Sequence, residues 1–203
     1  MYKHFFKRVI DIVFALLVLI VFSPVLLVVW VWLHFANKGA GAFFYQDRPG
    51  KDGKIFKVVK FKTMTDERDA EGNLLPDTER LTKVGKMVRA SSLDELPQLI
   101  NIFKGEMSFV GTRPEVLEYV RKYKPEWRAT LLLPAGVTSL ASVKYRHEDE
   151  ELEKLMQSGM SLDEAYLQCI LPEKMKYNLD EMKGFTVFHD MGILIRTVFA
   201  VLH

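Results

Sequence analysis

Cysteine is nearly absent from this 203-residue chain, where Cys169 stands alone. A single thiol excludes an intramolecular disulfide and a cysteine-based zinc site, and it fits a reducing compartment. The five histidines, His4, His34, His147, His189 and His203, lack metal-ligand spacing and read as structural or surface residues. Net charge is small as well, +2 at pH 7. No global field points to nucleic acid, so no nucleic-acid partner is expected. Internal repeats and low-complexity linkers are missing too. What is left is room for one membrane element and one domain of about 165 residues, enough to bury a core.

Residues 12–36 form an apolar run of 25 residues without Lys, Arg, Asp or Glu. As a helix it would extend roughly 37 Å, beyond the ~30 Å hydrocarbon core of a bilayer. Ser23-Pro24 lies near its midpoint. Pro24 has no amide proton and clashes with the carbonyl of Ile20, so a break is expected there. Lys3, Lys7 and Arg8 precede the run, and Lys38, Arg48, Lys51, Lys54 and Lys57 come after it. Both flanks therefore look cytoplasmic. A helix that enters one leaflet, turns at Ser23-Pro24 and leaves on the same side satisfies both flanks, with a kinked spanning helix as the alternative. A signal peptide ending near Ala40-Gly41-Ala42 is disfavoured, because the run exceeds the ~7–15 residues of a signal core and carries a central proline.

Beyond the run, residues 42–46 and 55–64 read as strands joined by the turn Pro49-Gly50-Lys51-Asp52-Gly53. The period of two puts Phe56, Val58, Lys60 and Lys62 on one face. Residues 66–80 read as an exposed loop and 81–90 as a helix. A second helix starts near Ser92 or Asp94, carries Leu96, Leu99, Ile100 and Phe103 toward a core, and ends at Gly105. Then come a strand at 108–110, a turn at 111–114, a helix at 115–123, an irregular stretch at 134–142, and helices at 148–157, 162–170 and 185–202. The last is amphipathic, suited to the core or to a membrane surface. The fold class is α+β, mostly helical with a small β-hairpin or sheet, an N-terminal helix-break-helix membrane hairpin and amphipathic interfacial helices.

Chemistry concentrates at Ser92-Leu93-Asp94-Glu95-Leu96-Pro97-Gln98. The bland reading is a helix start, since Ser92 and Glu95 have the spacing of a capping box. The functional reading makes Asp94 a nucleophile or a metal ligand, with Arg89 near enough to pair with a phosphate. Arg48, Lys60, Lys62 and Arg113 are either a solvated basic face beside the membrane or anion ligands. Lys60 and Lys62 lack acidic partners between them and suit a diphosphate. Thr112 and Glu115 repeat the capping-box spacing around Arg113. The acidic stretch 147–151 reads as a charged helix start.

The ordered set of motifs resembles a known family. Lys7-Arg8 with Asp11, Ser23-Pro24 in a broken apolar helix, Gln46-Asp47-Arg48-Pro49-Gly50, Lys60-Phe61-Lys62-Thr63-Met64, the Asp94 segment and the run from Gly105 to Pro114 look like a bacterial sugar transferase. They resemble the minimal monotopic phosphoglycosyl transferases over about residues 1–143. The resemblance implies transfer of a phosphosugar from a UDP-sugar to polyprenyl (undecaprenyl) phosphate, giving polyprenyl-diphosphate-sugar and UMP. It also implies Mg²⁺, a nucleophilic Asp94 that doubles as a metal ligand, and an assisting Glu95. Arg48, Lys60, Lys62, Arg89 and Arg113 become substrate-binding residues, and Ser23 and Pro24 the hairpin break. Residues 1–38 would be the re-entrant hairpin in the cytoplasmic membrane, among its lipids. Residues 39–203 would be a catalytic domain on the cytoplasmic face, ending in the amphipathic helix. A homodimer is compatible with all of this. Thr112 stands where the family commonly has proline, Ser139 replaces a usual glycine, and the chain departs from the common pattern after Lys144. Non-catalytic assembly partner and nucleotide-sugar hydrolase are the alternatives.

Overall fold

The computed structural model describes residues 5–184 and 186–202. Lys3, His4, Phe185 and His203 lie outside the described residues. Helix α1, Lys7–Ala36, is continuous over 30 residues, so a reversal at Ser23-Pro24 is not shown. Pro24 leaves the Ile20 carbonyl without its usual amide donor. The Ser23 hydroxyl donates to that oxygen at 2.8 Å, which lets the helix run on past the proline. Among the described residues this is the one helix long and apolar enough to cross a membrane. Its large side chains, including Leu17, Ile20, Val21 and Leu27, are mostly exposed, whereas Ala15, Val29 and Leu33 are buried.

The chain forms two compact units, one from residues 12–46 and 57–104 and the other from the remainder. Strands β1, Phe43–Pro49, and β2, Ile55–Phe61, pair in the expected two-stranded sheet. In the first unit, Val29, Leu33, Ala42, Phe61 and Val88 form the core, and Phe43 stacks on Phe61. The alternation of β2 slips at Val58 and Val59, which are both buried. Lys60 and Lys62 alternate with buried Val59, Phe61 and Thr63. The fully buried Asn101 side chain completes this strand's backbone bonding. It accepts from Val59 N at 3.0 Å and donates to Lys57 O at 2.7 Å.

After the short helix α2, Asp77–Arg80, helix α3 spans Lys83–Ala90 and is capped by Thr82, whose hydroxyl accepts from Gly85 N at 2.9 Å. A Cβ on Gly85 would lie 2.0 Å from Thr63 O, so only glycine lets α3 approach this closely. Ser92 then adopts the left-handed conformation (φ 54°), and its N–H bonds to Arg89 O at 2.9 Å. It terminates α3 and gives no side-chain cap to the next helical segment, so the expected capping box does not form. The chain continues as a 3₁₀ segment, Leu93–Gln98, into α4, Leu99–Lys104. A 3₁₀ turn holds three residues where an α-turn holds 3.6, so six residues rotate the helix face by roughly 120°. This corrects the expected core face. Leu99 and Ile102 are buried, while Ile100 and Phe103 are 40% and 52% exposed.

In the second unit β3, Met107–Val110, pairs in parallel with β4, Ala135–Thr138, with Met107 opposite Ala135. The stretch expected to be irregular is thus a strand that leads into α6, Leu140–Lys144. Its small residues conceal it. Gly111 and Gly136 extend the pairing so closely that a Cβ on Gly136 would sit 2.2 Å from Gly111 O. Helix α5 covers only Leu117–Arg121, so Thr112 and Glu115 cap nothing. Helices α7, Glu148–Gln157, and α8, Leu162–Ala165, fall where the sequence places them. A π-turn, Tyr166–Ile170, joins α8 to α9, Leu171–Glu181, with Pro172 at the junction. Tyr123, Trp127, Leu152, Tyr166, Ile170 and Met175 are the centre of this unit's core. Helix α10, Val187–Leu202, turns Asp190 and Ile193 inward and exposes Phe188, Met191, Ile195 and Val198 at helical spacing.

Candidate active site

The first unit builds a charged cluster where β2 ends against α3 and the 3₁₀ segment. Lys60 Nζ lies 3.0 Å from Glu95 Oε1, with both side chains about a quarter exposed or less (25% and 21%). The Lys60 partner replaces the capping role expected for Glu95. Lys62 Nζ is 2.5 Å from Asp66 Oδ2. Both lysines therefore have acidic partners, contrary to the reading of an unpaired cationic strand face. Thr63 links the strand to α3. Its hydroxyl accepts from Arg89 Nε at 2.7 Å, and its carbonyl takes the Thr82 N–H and hydroxyl, each at 3.3 Å.

Asp94 is half-buried beside this cluster. Burial pushes its carboxyl up to about 6, the adjacent Glu95 charge pushes the same way, and Lys60 and Arg89 oppose them. The two carboxylates thus have different environments. Glu95 is matched by an ammonium, whereas Asp94 is a partly desolvated base held within reach of cationic charge. A carboxylate in that condition is a candidate nucleophile.

The second unit holds Arg48 and Arg113. Arg48 Nη1 donates to Pro114 O at 2.8 Å and Arg113 Nη1 to Val137 O at 3.1 Å. Burial lowers the Arg48 pKa, Glu115 raises it, and Arg113 lowers it further. Backbone carbonyls thereby fix two neighbouring guanidiniums in place. Arg113 lines a cleft of about 240 Å³ with Gly50, Thr112, Tyr123 and Thr130. Such an arrangement suits a phosphate-bearing ligand.

A profile described as "Bacterial sugar transferase" matches residues 2–203. The chain belongs to the bacterial sugar transferase family. It is 42% identical over 141 residues to an uncharacterised sugar transferase, EpsL, of Bacillus subtilis strain 168, covering 70% of this chain and 69% of that one. It is 35% identical over 200 residues to a UDP-glucose:undecaprenyl-phosphate glucose-1-phosphate transferase of Klebsiella pneumoniae, covering 96% of this chain but 39% of that one. A Caulobacter vibrioides protein of the same name is 32% identical over 206 residues, with 97% and 69% covered.

In this family member the sequence motifs meet in two groups. Lys60, Thr63, Arg89, Asp94 and Glu95 come together in one unit, and Arg48 with Arg113 in the other. Sequence reasoning missed Thr63, Asn101, Glu115, Lys174 and Asp190. Asp190 pairs with Lys7 at 2.5 Å while Asp11 accepts from Phe109 N at 3.3 Å, which gives the Lys7…Asp11 motif a structural anchor role. A carboxylate on a mostly apolar helix, as at Asp190, is a signal that could have found it, whereas Lys174 sits among other charged residues on α9 and gives none.

Proposed function

We propose that this chain transfers a phosphosugar from a UDP-sugar to membrane polyprenyl (undecaprenyl) phosphate through a covalent intermediate on Asp94. The observation that carries the reading is Asp94 itself, partly buried, with its pKa pushed up to about 6 and flanked by Arg89 and the Lys60–Glu95 pair. The names of the Klebsiella and Caulobacter relatives support the same reaction class.

In the first step an Asp94 carboxylate oxygen attacks the sugar-bearing phosphorus. That phosphorus–oxygen bond to UMP breaks, and UMP leaves with the electron pair. In the second step a phosphate oxygen of the polyprenyl carrier attacks the same phosphorus. The acyl-phosphate bond breaks, the Asp94 carboxylate returns, and polyprenyl-diphosphate-sugar forms. Lys60 neutralises Glu95, so that Glu95 does not repel the incoming anion, and Glu95 assists Asp94. Arg89, steadied by Thr63, offsets charge beside Asp94. Lys62 exchanges its exposed partner Asp66 for substrate phosphate, and Arg48 and Arg113 bind donor phosphate within their own unit.

Mg²⁺ fits this donor set in one mode. No cluster of three or more His, Cys, Asp or Glu among the described residues could hold a metal alone. Magnesium is commonly held by one or two carboxylates together with substrate phosphates. Asp94 would hold it here, and the ion would supply charge neutralisation on the phosphates.

The working site lies on the cytoplasmic face in this reading. Helix α1 enters the bilayer as a re-entrant element bent at Ser23-Pro24, and the apolar side of α10 rests in the membrane interface. Cysteines placed one at a time at Lys3 and Lys51, in a Cys169→Ser background, should both react with a cytoplasmic-side reagent. Labelling from opposite sides would refute the hairpin.

The reaction is tested by UMP release from a panel of UDP-sugars. Release beyond the single equivalent freed when Asp94 is loaded should require polyprenyl phosphate and fall about tenfold per pH unit below about 6, because the nucleophile works ionised and Asp94 protonates there. Release beyond one equivalent per protein without any lipid acceptor would point to hydrolysis, and none with any donor to a non-catalytic scaffold.

A further inference from the structure

Asn37 is the first residue past the apolar helix α1, and it is fully buried. Its N–H closes the last turn of that helix on Leu33 O at 3.0 Å. The chain then reverses through three left-handed residues, Lys38 (φ 51°), Gly39 (φ 89°) and Gly41 (φ 82°). A primary amide has two donor hydrogens, and Asn37 places both on backbone oxygens of other segments. Nδ2 donates to Gly41 O at 2.8 Å in the reversal and to Lys62 O at 2.6 Å just past the end of β2. The Lys62 N–H in turn reaches Ala42 O at 2.8 Å. Both backbone polar groups of Lys62 are thus tied to the segment that leaves α1.

The next residue is Thr63, whose hydroxyl accepts from Arg89 Nε at 2.7 Å and whose carbonyl takes the Thr82 N–H at 3.3 Å. Arg89 is one of the two cations whose charge acts on Asp94. A continuous series of hydrogen bonds, all within the first unit, therefore leads from the end of α1 to the neighbour of that carboxylate. We propose that Asn37 is a positioning residue for the transfer reaction, fixing Thr63, and through it Arg89, to the end of the apolar helix. The inference rests on the reading of Asp94 as nucleophile and Arg89 as its supporting cation. Small displacements at a reacting centre are costly, so a buried joint at this distance from Asp94 acts on rate more than on donor binding.

UMP release with polyprenyl phosphate reads the role, and a mutant cycle with Thr63→Val separates it from a general loss of stability. Thr63→Val removes the hydroxyl that accepts from Arg89 Nε. Asn37→Ala and Thr63→Val should each lower kcat about tenfold and leave KM for the UDP-sugar within about twofold of the parent. Together they should lower kcat by about twentyfold at most, because both break one series of contacts, where independent effects would multiply to about a hundredfold. Amide exchange on the folded protein needs no turnover. The Lys62 and Thr82 amides, bonded to Ala42 O and Thr63 O, should exchange at least about tenfold faster in Asn37→Ala, and those of α7, in the other unit, should not change. Should Asn37→Ala not fold, Asn37→Ser, which keeps one donor hydrogen, carries the same measurements. Parental kcat, a double variant whose loss is the product of the single ones, or unchanged exchange at Lys62 and Thr82 overturns the inference. A parent that releases no UMP sinks the proposed reaction and leaves the exchange comparison to judge the joint alone.

Discussion

Asp94→Asn is expected to lower polyprenyl-phosphate-dependent UMP release by at least about a thousandfold, or roughly 4 kcal/mol of barrier. Asparagine preserves the shape of the site, so binding of donor and acceptor should change little. What it removes is the anionic oxygen that forms the bond to phosphorus. Glu95→Gln should cost far less, on the order of tenfold to a hundredfold, since Glu95 is paired with Lys60 and acts beside the reacting atoms. A purified Asp94→Asn protein that retains a tenth of parental turnover would exclude Asp94 as nucleophile. Direct transfer from donor to lipid would then replace the two-step route.

The second large effect is structural in origin. Gly85→Ala should destabilise the protein by about 3 kcal/mol, lowering Tm by roughly 6–12 °C for a domain of this size. The added methyl would meet the Thr63 carbonyl at 2.0 Å, and that oxygen is backbone and cannot rotate away. Helix α3 must move off β2. In moving, it breaks the Thr82 contacts to Thr63 O and the Arg89 Nε bond to the Thr63 hydroxyl. Activity should therefore fall even below the melting transition, by about tenfold, as Arg89 loses its support. Lys86→Ala, on the exposed side of the same helix, is the control and should change Tm by less than about 2 °C. If Gly85→Ala melts like the parent, the close approach of α3 to Thr63 is wrong.

The same helix shows where sequence patterning works and where it stops. The long apolar helix, the hairpin and the acidic helix α7 are legible because each rests on one local periodicity or turn signal. Ser92 misleads because its backbone is left-handed, which turns an apparent N-cap into the terminator of the preceding helix. The core face of α4 is misplaced by pattern alone because the preceding 3₁₀ turns advance the chain with a different period, sending Ile100 and Phe103 outward. Strand β4 escapes notice because parallel pairing beside Gly111 and Gly136 needs small residues and leaves only Val137 and Thr138 as a β-branched signature. The pairing of Lys60 with Glu95, 35 residues apart, and of Lys174 with Glu115 depends on tertiary contacts that no local rule encodes. Asp94 is offered by its residue type and neighbours as one of two readings and singled out by the family resemblance, and the surrounding charges give a physical reason to propose it as the nucleophile.

Intact-mass analysis of the detergent-solubilised protein, mixed with a UDP-sugar and Mg²⁺ and given no lipid acceptor, tests the covalent route most directly. The expected spectrum shows a gain equal to one phosphosugar in the parent and none in Asp94→Asn. An unmodified parent under conditions that support full turnover once polyprenyl phosphate is added, or an adduct that survives in Asp94→Asn, would contradict it.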